Sequence, residues 1–309
     1  MYISQLKNKI DAYDKFGEHR TNGLKALFVL EILFIFNFIY TVPNPYFYYF
    51  YVPLTAFAAE IAGGTLKEKY LFLTFTLIGS TIAIFFFGVF SVYKLFFLFF
   101  VFGGALTIYY TAINKIRSMF VAAPLILSLA AYSLIYKNAD SNLYVALNNA
   151  LLTIVATLLI LAGLYIFPKT YYLAIWRRAF CDVLLNLEKI TAQIATGEAK
   201  TIPIFSGIIV MERYSGMLSS KMKCYSILKI TLLTFELIMA MSYLISFQSH
   251  HRIHYVITLN KYCSALYLAC KNRQPLAISA QELAVLNETY ELRILQRLIL
   301  SWNYLCLEH

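Results

Sequence analysis

Six long apolar stretches restrict the fold of this sequence more than any other feature. In hydrocarbon each backbone amide needs a hydrogen-bond partner within its own segment, so a run of roughly 20 apolar residues is typical of a membrane-spanning helix. Hydrophobic residues make up 60% of the 309-residue chain and charged residues only 14%, against about 25% in soluble domains. The predicted spans are residues 23–42, 45–63, 70–90, 93–111, 119–136 and 143–167.

Charged residues become frequent after residue 167, which predicts a second domain that is exposed to water. We therefore predict an all-α integral membrane protein in which six transmembrane helices are followed by a cytosolic helical bundle. The predicted boundaries are 21–167 for the membrane domain and 168–306 for the bundle. Residues 1–20 have an amphipathic pattern, which fits an interface helix or a helix that packs on the bundle. Residues 307–309 resemble the start of an affinity tag.

The C-terminal domain has helical periodicity and identifiable helix ends. Apolar residues recur at helical spacing over 173–196, and Gly197 is a natural stop. The segment 280–304 repeats this pattern, and Ser279 with Glu282 predicts a capping box at its start. The segment 225–247 is long enough to be a seventh span, but it contains Lys229 and Glu236. We expect it to be a core helix of the bundle, with a seventh span or an interfacial helix as alternatives.

Basic residues predict the orientation of the spans. Two or more Lys or Arg residues precede span one and follow spans two, four and six, whereas each alternate loop has at most one. The positive-inside rule then predicts that both termini lie in the cytosol. We expect the membrane to be a bacterial inner membrane, because the many Ile, Lys, Asn, Phe and Tyr residues are typical of an AT-rich bacterial genome. The net charge of +10 is spread over span ends and the C-terminal third, so we expect binding to lipid headgroups and not to nucleic acid.

The five cysteines all follow the last predicted span, and no two are spaced as CxxC. This pattern fits a reducing cytosol in which the thiols are buried as small apolar groups.

A family resemblance is visible around the second and third spans. The chain reads Tyr51-Val-Pro-Leu-Thr-Ala-Phe, then Gly63-Gly64-Thr65-Leu66-Lys67, then an apolar helix that contains Gly79. These motifs, with the basic residues from Arg20 to Lys25, resemble the fusaric acid resistance and aromatic acid exporter family over about residues 20–180. Two positions where that family often has Arg and Gly are Phe72 and Phe75 here.

The resemblance implies export of weak, often aromatic, organic acids. We therefore expect proton-coupled export of small organic acids across the membrane. The overall plan is also similar to the plant aluminium-activated malate transporters, so a passive organic-anion channel is one alternative. A membrane scaffold whose cytosolic domain binds partners is another. We expect no enzymatic activity and no cofactor.

Polar residues and prolines inside the spans are the candidate substrate or proton pathway. Glu31 lies deep in span one, where a carboxylate is expensive unless it is protonated or paired. Glu60 lies in span two, and two neighbouring carboxylates can share a proton. Alternatively, Glu31 is a hydrogen-bonded neutral group and Glu60 pairs with a lysine of the following loop. The remaining candidates are Pro53, Thr55, Asn37, Gly63, Gly64 and Thr65.

Three further patterns have structural and functional interpretations. The aromatic run at 45–51 favours an interface belt, with an aromatic vestibule as the alternative. His250, His251 and His254 are a weak candidate metal site, and a solvated patch explains them as well. Small-residue stripes on spans two and six favour close helix packing, and because the chain has a single set of six spans we expect a homo-oligomer, most simply a dimer.

Overall fold

The computed structural model describes residues 10, 12–42, 45, 48–49, 66–91, 93–115, 122–135, 143–197, 205–222, 225–246 and 253–308. All regular structure in these ranges is helical, as predicted. The chain divides into two compact units, one made of His19–Pro168 and the other of Met1–Glu18 with Lys169–His309. We call them the N-unit and the C-unit.

The N-unit contains five described helices. They are α1 (Glu18–Ile39, whose first residue belongs to the C-unit), α2 (Leu66–Phe90), α3 (Lys94–Lys115), α4 (Ala122–Ile135) and α5 (Leu143–Ile166). The second predicted span, 45–63, lies mostly outside the described residues. α2 is the centre of the unit, because it packs against both α4 and α5.

Small residues allow α2 and α1 to come close to their neighbours. A Cβ added at Gly88 of α2 would overlap the Cβ of Ala146 on α5, and one at Gly79 would lie 2.6 Å from Cδ1 of Ile126 on α4. Gly163 of α5 faces Val29 of α1 in the same way, at 3.1 Å. The predicted small-residue stripe of span six is therefore used for packing inside one chain. This agrees with the packing interpretation of the stripe, whose residues Ala146, Ala150, Thr153 and Thr157 are buried, and the expected homo-oligomer stays a prediction.

The C-unit is built from six described helices after Pro168. They are α6 (Thr170–Thr196), α7 (Ser206–Met222), α8 (Tyr225–Ser246), α9 (Ile253–Asn272), α10 (Ala280–Val285) and α11 (Tyr290–Glu308). α6 packs against α7 and α9, and α8 packs against α7 and α11. The apolar residues predicted for one face of α6 are buried: Phe180, Val183, Leu184 and Leu187.

Aromatic and amide side chains connect these helices. Trp176 of α6 is fully buried, stacks on Phe180 and donates its indole N–H to Oγ1 of Thr231 on α8 at 3.1 Å. Asn260 of α9 donates to the carbonyl oxygen of Glu188 at 2.7 Å. A buried indole or amide that finds its partner avoids a desolvation penalty of about 1–3 kcal/mol.

The helix ends of the C-unit confirm two sequence predictions and correct a third. Gly197 has φ +74° and ends α6, and Ser279 and Glu282 form the predicted capping box. The predicted helix 280–304 is wrong as a single element, because α10 ends at Val285 and α11 begins at Tyr290. Thr289 explains the new start, since its Oγ1 accepts from the backbone N–H of Leu292 at 3.4 Å.

Four described helices are long and apolar enough to cross a membrane: Glu18–Ile39, Tyr70–Phe90, Leu143–Ile166 and Tyr225–Ser246. Three of them coincide with predicted spans, and the fourth is α8. Within the described residues, two shorter apolar helical stretches lie in α3 and α4, Phe97–Thr111 and Ala122–Ser133.

α8 has two apolar faces. One packs inside the C-unit, and the other exposes Leu232, Met239 and Tyr243. Tyr290 of α11 donates its hydroxyl to Oε1 of Glu236 on α8 at 2.7 Å, so one of the two charges in the segment has a polar partner in the bundle.

We predict that α8 stays on one side of the membrane together with its bundle. Cysteines introduced by Lys189→Cys, before α8, and Glu288→Cys, after it, should react with an impermeant maleimide from the same side, because both native side chains are exposed. The labelling is compared with that of the wild-type chain in intact cells and in inverted vesicles. Opposite sidedness of the two cysteines would make α8 a membrane span.

A second prediction concerns the packing of α7 on α6. A Cβ at Gly207 would lie 2.7 Å from the carbonyl oxygen of Ala179, whereas a Cβ at Gly216 of the same helix would meet nothing within 4 Å. Gly207→Ala should therefore lower the free energy of unfolding by about 1–3 kcal/mol. The matched control Gly216→Ala should be neutral or stabilising by up to ~1 kcal/mol. Thermal unfolding of the purified chain measures both, and equal effects would contradict the close approach.

Candidate functional site

Buried polar side chains lie on three helices inside the apolar N-unit. Asn149 of α5 is 1% exposed and its Nδ2 donates to Oγ of Ser133 on α4 at 3.0 Å. One and two turns along α5, Thr153 and Thr157 are fully buried and donate to backbone carbonyls of their own helix. We call Asn149, Ser133, Thr153 and Thr157, together with Thr76 and Ser80 of α2, the polar seam.

The α2 side of the polar seam is incompletely hydrogen-bonded. Ser80 donates to the carbonyl oxygen of Thr76 at 2.5 Å. The Oγ1 of Thr76 is buried and finds no hydrogen-bond partner among the described residues. Buried hydroxyl groups normally have partners, so this one is available to a polar ligand or to water. Hydroxyl and amide groups of this kind can donate to carboxylate oxygens.

Lys25 of α1 is a buried cation of the N-unit. Its side chain is 1% exposed, and Thr21, one turn earlier, is also buried. In the sequence, Lys25 is one of the basic residues at the entry to span one, and such residues normally serve as interfacial anchors. No sequence signal separates it from Arg20, because the two differ only in the face of α1 on which they lie.

In contrast to Lys25, Glu31 is exposed in the single chain. It is about 12 Å before the end of α1, since eight residues separate it from Ile39. Leu27, Ile35 and Phe38 on the same face are 62%, 52% and 90% exposed, so the carboxylate is surrounded by apolar side chains that face outward. The described residues offer it no hydrogen-bond or ion-pair partner.

Asn37 takes part in a polar contact at the end of α1. Its Nδ2 donates to the hydroxyl of Tyr49, and its Oδ1 accepts from the backbone N–H of Val42 at 3.3 Å. Tyr48 is fully buried and donates to the carbonyl oxygen of Leu33 at 2.9 Å. Of the aromatic run expected to form an interface belt, Tyr48 is thus a core residue, and Tyr49 is tied to α1.

Several candidate residues lie outside the described residues. These are Pro53, Thr55, Glu60, Gly63, Gly64 and Thr65 in and after the predicted second span, and His250 and His251 before α9. His254 lies in the first turn of α9. In the part of the chain that the structure describes, no three His, Cys, Asp or Glu residues are grouped as metal ligands would be. The proposed meeting of Glu31 and Glu60 stays a prediction.

The cysteines depart from the expectation of free thiols. Cys181 of α6 and Cys270 of α9 form a disulfide, with Cα atoms 6.1 Å apart, whereas Cys263 and Cys306 are free. Cys224 lies outside the described residues. The pairing was not predictable, because 89 positions separate the two cysteines and only the packing of α9 on α6 brings them together.

Comparison with known proteins identifies no relative: the sequence matches no family model, and neither a curated protein nor a solved structure is similar to it. The resemblance to aromatic acid exporters therefore rests on the sequence motifs alone.

Because Cys263 can ionise, the stability of the C-unit should depend on pH in a way that tests the burial of this thiol. Burial, followed by the negative charge of Glu188, raises the pKa of this thiol from 9.0 to about 12. Because the folded pKa lies above the unfolded one, the contribution of the thiol to stability is complete below about pH 9 and is lost as the pH rises toward 12. The slope approaches about 1.4 kcal/mol per pH unit.

Cys263→Ala should therefore flatten the loss of stability between pH 9 and 11 relative to the wild-type chain. Urea unfolding at several pH values measures the difference. Cys306→Ala is the comparison variant and should have a smaller effect, because burial raises the pKa of this partly buried thiol but the positive charge of Arg177 opposes the rise. Parallel pH profiles for wild type and Cys263→Ala would show that the thiol is not held in a dry environment.

Proposed function

We propose that this chain is an integral membrane transporter that exports small organic acids in exchange for protons. The observation that carries the proposal is the polar seam, which places hydroxyl and amide groups inside a unit of apolar helices. Hydroxyl and amide groups within membrane helices can hydrogen-bond a polar substrate as well as a neighbouring helix. The buried ammonium of Lys25 in the same unit favours an anionic substrate.

Glu31 supports coupling to protons. A carboxylate at bilayer depth and facing apolar surroundings costs several kcal/mol when ionised, and protonation removes most of that cost. A group of this kind can take a proton from one side and release it to the other if its surroundings change during transport. Its exposure in the single chain also fits a homodimer in which a second copy covers α1.

A passive anion channel is the second candidate, and Lys25 is the observation that favours it. A buried cation attracts anions whether or not a proton is moved. A channel would conduct in either direction without a pH gradient, so the energetics of transport separate the two functions.

The test is uptake of labelled benzoate into proteoliposomes with and without a pH gradient. With an acidic vesicle interior, passive permeation of neutral benzoic acid causes no accumulation, so we expect the wild-type chain to accumulate benzoate and protein-free liposomes not to. Glu31→Gln should lose this accumulation while still exchanging labelled for unlabelled benzoate faster than protein-free liposomes do. The control Glu288→Gln, at an exposed position of the C-unit, should behave like wild type.

Three results would contradict parts of the proposal. Transport by Glu31→Gln with unchanged pH dependence would make Glu31 structural. Equal benzoate flux with and without a gradient in the wild-type chain would favour the channel. Benzoate flux no faster than that of protein-free liposomes would exclude transport of this aromatic acid.

A further inference from the structure

The C-unit contains a cavity of about 350 Å³ whose lining is strongly basic. It opens between the N-terminal segment, which contributes Lys15 and Phe16, and helices α6 and α9. Four cations line it, and a single carboxylate accompanies them. The cations are Lys15, Arg177, Arg178 and Lys271, and the carboxylate is Asp182.

Asp182 balances only one of these charges. Its Oδ1 lies 2.7 Å from Nζ of Lys15, and its side chain is 10% exposed. Arg178 donates from Nη1 to the carbonyl oxygen of Phe16 at 3.2 Å, which fixes its position but does not neutralise it. Arg177 and Lys271 have no ion pair with any carboxylate of the described residues. Among the described residues, no carboxylate therefore offsets the other three positive charges.

Arg177 shows the consequence of this crowding. It is half-buried, and burial lowers the pKa of its guanidinium, with further lowering by the nearby charges of Arg273 and Arg178. An arginine placed among other cations, without a carboxylate, is held in an unfavourable field that a bound anion would relieve. The guanidinium fork is also the side chain that best fits carboxylate and phosphate oxygens.

The walls of the cavity are fixed before any ligand binds. α6 and α9 pack against each other, and the disulfide between Cys181 and Cys270 joins them within the lining. The Lys15–Asp182 ion pair and the bond from Arg178 to Phe16 hold the N-terminal segment over α6. A site that needs little ordering on binding keeps more of its interaction energy as affinity.

We propose that this cavity binds a small polyanion, carrying two or more carboxylate or phosphate groups. Its volume lies in the range of small-molecule sites, about 300–1,000 Å³. Phe16, Leu185 and Tyr267 supply apolar contact to the body of the ligand. The site belongs to the C-unit, and its occupancy does not depend on whether the N-unit transports organic acids.

The experiment is calorimetric titration of the full chain, in nanodiscs of phosphatidylcholine, with inorganic pyrophosphate and with citrate. We expect at least one of them to bind the wild-type chain and to bind more weakly as salt is added. Loss of one charge-assisted contact corresponds to a weakening of roughly tenfold or more, so Arg177→Gln and Lys271→Gln should each reduce affinity by that factor. The double variant should show no binding.

Lys189→Gln is the matched control. Lys189 is an exposed cation of α6 that does not line the cavity, so its loss changes the net charge equally and should leave affinity unchanged. Lys271 is exposed, so Lys271→Gln tests the site even if Arg177→Gln fails to fold. Equal affinity of wild type and Lys271→Gln, equal weakening by Lys189→Gln, or no binding of either anion would overturn the proposal.

A second arm identifies the source of the anionic group. Phosphatidylglycerol is added to the nanodiscs, and pyrophosphate binding is measured again. Competition by the lipid in the wild-type chain, absent in a bilayer of phosphatidylcholine alone, assigns the site to a lipid headgroup phosphate. Unchanged pyrophosphate affinity assigns it to a free small polyanion.

Discussion

The close approach of α2 to α4 and α5 is the contact on which the rest of the N-unit depends. Gly79 lies against the side chain of Ile126 on α4, and Gly88 lies against the Cβ of Ala146 on α5, so a side chain at either position would collide with the neighbouring helix. Dispersion contacts do not require the surroundings to be more polar than the protein interior. They therefore stabilise helix packing even in hydrocarbon, which is as apolar as the core. The polar seam exists because this packing places the hydroxyls of α2, α4 and α5 inside the unit.

That arrangement divides the polar groups of the N-unit into two kinds. Asn149 and Ser133 satisfy each other within the interior, whereas Glu31 is exposed among apolar side chains. A hydroxyl or amide can be buried at little net cost once it is hydrogen-bonded, but an ionised carboxylate needs a counter-charge, a proton or water. Under the proposed function, the seam would bind the substrate and Glu31 would respond to protons or to a second copy of the chain.

The disulfide of the C-unit is unexpected for the cytosolic location that the sequence predicts. The basic loops predict a cytosolic location, where disulfides are usually reduced, yet Cys181 and Cys270 are joined. A disulfide in a reducing compartment is typically one that forms and breaks with redox conditions. Both cysteines line the basic cavity, so reduction would place two thiols in its wall.

The sequence by itself determined the helical class, three of the helices that are long and apolar enough to cross a membrane, the capping box at Ser279 and the end of α6 at Gly197. These features depend on residues that are close in the chain, through apolar runs, side-chain caps and the free φ of glycine. Only the tertiary structure decided that Lys25 is buried and Glu31 exposed, that Cys181 meets Cys270, and that cations from three segments share one cavity. Each of these depends on which face of a helix meets a distant helix, and hydropathy alone does not encode that pairing.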